Sequence, residues 1–334
     1  MGIEKEIQVP NLVEDFAGAL KLYDDGTIIR TDQDNLIVNV PPSLQNQDVK
    51  SRDVVINEEL GIWVRFFLPS PKPASSKLSL ALFFHGGGFC FLSPSFLASH
   101  SFCQKWAATL GIMIVSVNYR WAPENRLPAA YEDSMAVLQW LFSASDPWLN
   151  YHADLSNVFL IGESSGGNII HHLLMRAHAC DSFDNIRGAI LIQPFFGGKD
   201  RTHSENVCPR DVLVNVEACD TFWRLALPFE AHGNRDHPFS NPVMYFPLEL
   251  SSVIGFPPML VVLGGKDCLR DRGEEYYEAI KVCGKCKSID LIVFEKEEHG
   301  FHLSFNETDP DNQEYSNNGR LMHEAALFVS SNSH

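Results

Sequence analysis

Short runs of apolar residues, each bounded by glycine or polar positions, recur along most of this chain, over 78–84, 111–117, 158–161, 188–192, 259–263 and 291–294. Continuous apolar runs of this length, without polar alternation, predict strands covered on both faces rather than strands with one wet side. Between them, apolar residues return at three- and four-residue intervals over 99–109, 130–143, 168–179, 273–283 and 320–329, which predicts helices. Two further strands are expected over 54–67, around the turn Glu58-Glu59-Leu60-Gly61, and 69–76 reads as a Pro/Ser-rich connection. Strand and helix therefore alternate, the signature of an α/β fold: a mostly parallel central sheet flanked by helices, with functional loops at the carboxyl ends of the strands.

Two segments fit the alternation poorly, 1–47 and 199–250. Both are assigned to a small helical cap over the site, carried by a single domain that spans 1–334. Within the second, 216–227 has a helical pattern and 232–242 is rich in turn formers. The competing reading of 199–250 is a structural insertion without a role at the site.

Composition narrows the class. Apolar residues make up 45% and charged residues 20%, a globular balance, and no stretch approaches the roughly 18 apolar residues of a membrane span. The first ten residues carry Glu4, Lys5 and Glu6 with no apolar core behind them, so no secretory signal is read there, and Glu6 stands where a myristoylation signal has Ser or Thr. A formal charge of −16, without a basic stripe, repels phosphate backbones and argues against a nucleic-acid partner. The eight cysteines have no framework spacing, which suits reduced thiols in a cytosolic protein. Cys283-Gly-Lys-Cys286 has the spacing of a metal or redox pair but no second ligand pair near it in sequence, and no metal or cofactor is expected. Asn306-Glu307-Thr308 matches a glycosylation acceptor and is taken as chance, given no secretory signal. Oligomeric state is not legible in the pattern.

The chemistry is concentrated at strand exits. Gly162-Glu163-Ser164-Ser165-Gly166 follows the strand 158–161 and precedes the helix expected from 168, the setting of a nucleophile elbow. Glycines permit the cramped turn, which projects Ser164 from the sheet beside the positive end of the helix. A serine hydroxyl is a weak nucleophile until a base takes its proton, so a histidine and a carboxylate are required on later loops. Asp267 follows the strand 259–263 and His299 follows 291–294, in the order serine, aspartate, histidine. The competitors are Asp271, better suited to charging the start of the next helix, and His302, better suited to packing beside the loop.

His85-Gly86-Gly87-Gly88-Phe89 directly follows the strand 78–84, where glycine lets bare N–H groups face a reacting oxygen. With Ser165, amides from Gly86, Gly87 and Gly88 are the expected oxyanion hole. A phosphate loop is the rival reading, and it lacks the lysine and Ser/Thr of a P-loop and the spacing of a dinucleotide fingerprint. Phe89 and Phe91 past the glycines, and Phe222 and Trp223 in the cap, are candidates to line a substrate pocket, with ordinary core packing the equal alternative. Together these parts describe ester cleavage: His299 deprotonates Ser164, the oxyanion rests on the glycine amides, and Asp267 steadies the imidazolium.

Those motifs, with Tyr119-Arg-Trp-Ala-Pro-Glu124, Leu127-Pro-Ala-Ala130, Asp146-Pro-Trp-Leu149 and Gly264-Gly-Lys-Asp-Cys-Leu-Arg-Asp271, give the chain a strong resemblance to plant carboxylesterases of the hormone-sensitive-lipase-like group of α/β-hydrolases. The segments 12–30 and 223–242 are similar to that group's cap. The resemblance implies an α/β-hydrolase fold and hydrolysis of a small to medium carboxylic ester in plant specialised metabolism or detoxification, with no cofactor. It also brings alternatives, because gibberellin receptors of this group lack the base histidine, and isoflavanone dehydratases and alkaloid cyclases have altered triads. Here Ser164, His299 and the run Gly86 to Gly88 are all intact. Glu163 stands where many members have Asp, a departure not expected to touch the chemistry directly.

Overall fold

In the computed structural model, which describes residues 10–16, 18–31, 38–42, 48–70, 77–143, 146–177, 183–246, 255–303 and 316–333, the apolar runs line up as neighbours in one sheet. Outside the described residues lie most of the 69–76 connection, the sequon at 306–308, Cys180, and parts of both segments assigned to the cap.

The chain divides into two compact units, Met1–Val38 and Asn39–His334. The first holds three short strands, β1 (Leu12–Phe16), β2 (Leu20–Tyr23) and β3 (Ile28–Arg30), paired antiparallel in sequence order. This segment was expected to be helical cap, and the correction has a local cause. Two tight turns, around Gly18 and Gly26 in left-handed backbone, fold the strands directly onto one another.

The second unit holds β4 (Val49–Asn57), β5 (Ile62–Pro69), β6 (Leu78–Phe84), β7 (Met113–Asn118), β8 (Ala153–Glu163), β9 (Ile186–Ile192), β10 (Met259–Gly264) and β11 (Ile289–Phe294). Across the sheet the order is β11, β10, β9, β8, β6, β7, β5, β4. The strands from β11 to β7 are parallel, and β5 and β4 close the far edge in antiparallel pairing. This is the α/β-hydrolase fold. Its consequence for function is that five adjacent parallel strands, β11, β10, β9, β8 and β6, deliver their carboxyl ends to the same edge.

Alternate residues of each strand serve opposite layers, as strand pleating requires. Phe83, Phe159, Ile161, Ile190 and Val262 enter one core with Phe102 and Trp106 of α1 (Leu97–Leu110) and Leu321 and Phe328 of the C-terminal helix (Asn317–Asn332). Helix α2 (Ala129–Ser143) packs on α4 (Ser165–Ala177), and α4 lies along β6, β8 and β9. Between them in the chain comes α3 (Pro147–His152), unpredicted but locally well specified: Asp146 caps it by accepting from the N–H groups of Trp148 and Leu149, and Pro147 opens its first turn.

The segment 199–246 is helical, as expected, with α5 (His203–Val207), α6 (Val216–Ala226) and two 3₁₀ turns. Helix α6 presents Phe222 and Trp223 to the body, where Trp223 stacks on Phe195 at 4.3 Å and lies 5.8 Å from Phe89. It therefore sits over the loops that leave β6 and β9. Its base is fixed by α7 (Arg270–Cys283): buried Arg272 pairs with Glu205 of α5, and Asp271 accepts from the Ser204 N–H at 2.7 Å.

Truncating a fully buried side chain at the sheet centre should test this layer arrangement away from the site. Phe159→Ala is expected to cost about 3–5 kcal/mol, read as a lower urea midpoint with an unchanged m-value.

Candidate active site

Ser164 stands between β8 and α4 with φ of 49°, a left-handed conformation that a serine adopts only when its surroundings impose it. The surroundings do so. Its N–H donates to the Ile192 carbonyl at 2.9 Å, and its carbonyl accepts from Phe195 at 2.8 Å and Gly167 at 3.0 Å. The flanking glycines leave no room for alternatives: a Cβ on Gly162 would lie 2.4 Å from the Gly166 carbonyl, and one on Gly166 would lie 1.9 Å from the Phe84 carbonyl. The backbone of the elbow is thus held by hydrogen bonds and steric contact, and Ser164 directly precedes the first residue of α4, where helix N–H groups have no intrahelical partner.

The glycine loop after β6 meets the elbow edge-on. A Cβ on Gly86 would stand 3.2 Å from Ser164 Cβ, which fixes how close the two loops run. Gly87 and Gly88 adopt φ of 98° and 59°, and a Cβ on Gly88 would enter the Phe222 ring at 2.4 Å. The N–H of Gly86 is committed elsewhere, donating to Glu163 Oε1 at 2.9 Å. Of the four amides expected to form the oxyanion hole, that of Gly86 is therefore already bonded to Glu163, whereas those of Gly87, Gly88 and Ser165 find no acceptor among the described residues. Tyr119 braces this loop from beneath, its hydroxyl donating to the His85 carbonyl at 2.9 Å while its ring stacks on His85 at 4.4 Å.

Two strands away, Asp267 and His299 come together. His299 Nδ1 lies 2.8 Å from Asp267 Oδ2, with the aspartate side chain fully buried and the imidazole 10% exposed. Asp267 Oδ1 accepts from the Leu269 N–H at 2.9 Å. Close approach of the two loops depends on glycine, because a Cβ on Gly265 would lie 2.3 Å from the Glu295 carbonyl. Burial disfavours the His299 cation, but the Asp267 carboxylate and its hydrogen bond outweigh that, so the imidazole pKa is raised above its ordinary value. The competing residues are placed elsewhere, Asp271 on Ser204 and His302 on Glu163.

A residue with no motif to announce it joins these parts. Gln193, at the exit of β9 and in left-handed backbone at φ of 46°, donates through Nε2 to Asp267 Oδ2 at 2.9 Å and to the Glu298 carbonyl at 3.0 Å. Its Oε1 accepts from the Gly300 N–H at 2.8 Å, so one buried amide holds the aspartate and both sides of the histidine loop. The only signal in the sequence is a polar residue directly at the exit of an apolar strand.

Of the four aromatic candidates, Phe89 and Trp223 are each 1% exposed and packed against Phe195, within the body-to-α6 contact rather than on an open wall. Phe91 and Phe222 keep slightly more exposure, 9% and 8%, and meet edge-to-face beside Gly88. The sulfur of Cys219 lies 3.7 Å from that of Cys268, and the seven described cysteines are free thiols. Neither a group of three or more possible metal ligands nor a helix long and apolar enough to cross a membrane occurs among the described residues.

A family model for the alpha/beta hydrolase fold matches residues 81–303. The chain is 36% identical to probable carboxylesterase 6 of Arabidopsis thaliana, covering 87% of this chain and 85% of that one. It is 35% identical to 2-hydroxyisoflavanone dehydratase of Glycyrrhiza echinata, covering 87% and 90%. Among solved structures it is similar to a thermostable carboxylesterase cloned from a metagenomic library, with a TM-score of 0.70, 26% identity, and coverage of 87% and 92%. The chain belongs to the α/β-hydrolase family, in the group that holds plant carboxylesterases together with related proteins of other activity.

Two measurements test this geometry directly. The His299 imidazole, followed by NMR, should titrate above its ordinary value of about 6.5 and fall below it in Asp267→Asn, where burial remains and the carboxylate is gone. Gly166→Ala should destabilise the chain by about 2 kcal/mol or more, since the added methyl meets a backbone carbonyl that the sheet holds in place.

Proposed function

We propose that this protein is a serine carboxylesterase that cleaves a small to medium carboxylic ester through an acyl-enzyme on Ser164. The observation that carries the reading is the buried Asp267–His299 pair at 2.8 Å, on the same sheet edge as the Ser164 elbow and the glycine loop pressed against it. Neutral His299 takes the Ser164 proton as Oγ attacks the ester carbonyl, and Asp267 favours the imidazolium that forms. The oxyanion is received by amides from Gly87, Gly88 and Ser165. The imidazolium protonates the departing alcohol, and water, activated by the same histidine, releases the acid. Because the base must be neutral, kcat/KM should fall on the acid side through the raised His299 pKa.

The ester is organic and small, taken from water beneath α6 without a cofactor, and the setting we propose is plant specialised metabolism or detoxification in the cytosol. The similarity to a dehydratase keeps elimination as the second reading. A receptor role is disfavoured by the presence of His299, the residue whose loss marks the receptor branch. Turnover of p-nitrophenyl butyrate separates these readings: the wild type should exceed Ser164→Ala by about 10³-fold or more. A wild type as inert as that variant would rule out hydrolysis.

A further inference from the structure

A second carboxylate–imidazole pair lies beside the first, and the proposed mechanism makes no use of it. Glu163, the residue immediately before Ser164, is 1% exposed, and its Oε2 lies 2.5 Å from Nε2 of His302, itself 3% exposed. Its other oxygen accepts the Gly86 N–H at 2.9 Å. One buried carboxylate therefore touches three loops: the elbow on which it sits, the glycine loop after β6, and the 3₁₀ turn Phe301–Leu303 that follows His299. Nδ1 of His302 meets no partner among the described residues, so Nε2 is the ring's one polar anchor and carries the donated proton.

Such a group is costly to bury unless its oxygens are paired. Burial opposes ionisation of Glu163, yet the His302 contact, the Gly86 amide and nearby His85 outweigh it and hold the carboxyl below its ordinary range. An ionised acceptor grips the Gly86 N–H more tightly than a neutral one. Gly86 is in turn bonded to Gly87, whose left-handed backbone and crowded Cβ position leave it little freedom of its own. The Gly86 carbonyl, on the peptide that carries the Gly87 N–H, accepts from His85 Nδ1 at 2.9 Å and from the Tyr119 hydroxyl at 3.2 Å, so Gly86 is held at its N–H by Glu163 and at its carbonyl by these two, and the direction of the Gly87 amide follows from both.

We propose that Glu163 and His302 are a positioning pair for the oxyanion hole: Glu163 acts through the Gly86 peptide to aim the Gly87 and Gly88 amides, and His302 acts by keeping Glu163 in place. The inference rests on the esterase reading of Ser164. The role is indirect, as the expectation that Glu163 does not touch the chemistry directly allows. Phe102 at 5.8 Å and Phe301 at 5.7 Å, both edge-to-face with the His302 ring, supply packing around the imidazole.

The test uses the full chain and two readouts: steady-state hydrolysis of p-nitrophenyl butyrate, and the affinity of phenylboronic acid by calorimetry. The boronate adds to Ser164 Oγ as the serine proton passes to His299, and a hydroxyl oxygen of the anionic tetrahedral adduct occupies the hole. Glu163→Gln and His302→Leu are expected to lower kcat by about 10- to 100-fold, with KM within about threefold, and to weaken the boronate by the same factor. His302→Gln, whose amide still donates to Glu163, should recover most of both. If Glu163→Gln does not fold, Glu163→Asp, which keeps the charge but withdraws it by one methylene, should show the same paired loss. Folded variants whose boronate affinity stays within about twofold of wild type overturn the inference, as does a fall in kcat that the boronate does not follow. The boronate series decides this point in either case, whereas an inert wild type would defeat the esterase reading by itself.

Discussion

The site depends on one crowded turn. At Ser164 the chain must leave β8 and enter α4 within a single residue, and it does so in a left-handed conformation that costs a non-glycine residue of order 1 kcal/mol. Four backbone hydrogen bonds to the β9 exit and the start of α4, with glycines at 162, 166 and 167 where side chains would collide, hold the turn against that strain. Because the restraint comes from the sheet itself, the position of the serine is inherited from the central strands β8 and β9.

The groups around it are held by the same logic, through single buried polar side chains that each bridge loops from different strands. Gln193 ties Asp267 to the histidine loop, and Glu163 ties the elbow to the glycine loop and to the turn beyond His299. Each has its polar atoms satisfied within the protein, which is the condition for such a group to order its surroundings in a low-dielectric interior. Helix α6 adds an apolar cover, with Trp223 stacked on Phe195 and Phe222 filling the space that Gly88 leaves open.

Much of this was legible in the sequence because it is written locally. Continuous apolar runs announced β6 to β11, and the positions of Ser164, Asp267, His299 and the glycine loop at the exits of those strands follow from the residues directly after the runs. What was not legible depends on contacts between distant residues. Glu163 and His302 are separated by 139 positions, and nothing in either neighbourhood signals that they meet. Gln193 has no motif, and the commitment of the Gly86 amide to a carboxylate cannot be read from a glycine run. The strands from Leu12 to Arg30 escaped for the opposite reason: they are short, pair among the described residues only with one another, and carry partly exposed residues instead of a buried apolar run. Phe89 and Trp223 illustrate a third case, since the same aromatic residue suits a pocket wall or a packed core until its neighbours are known.

The most direct test of the account is whether a covalent acyl group forms on Ser164 itself. Rapid acid quench of the wild-type protein during turnover of p-nitrophenyl butyrate, followed by peptide mass spectrometry, should reveal one butyryl group on the peptide that contains Ser164. Continued turnover with no adduct on that peptide, or with the adduct on another residue, would contradict it.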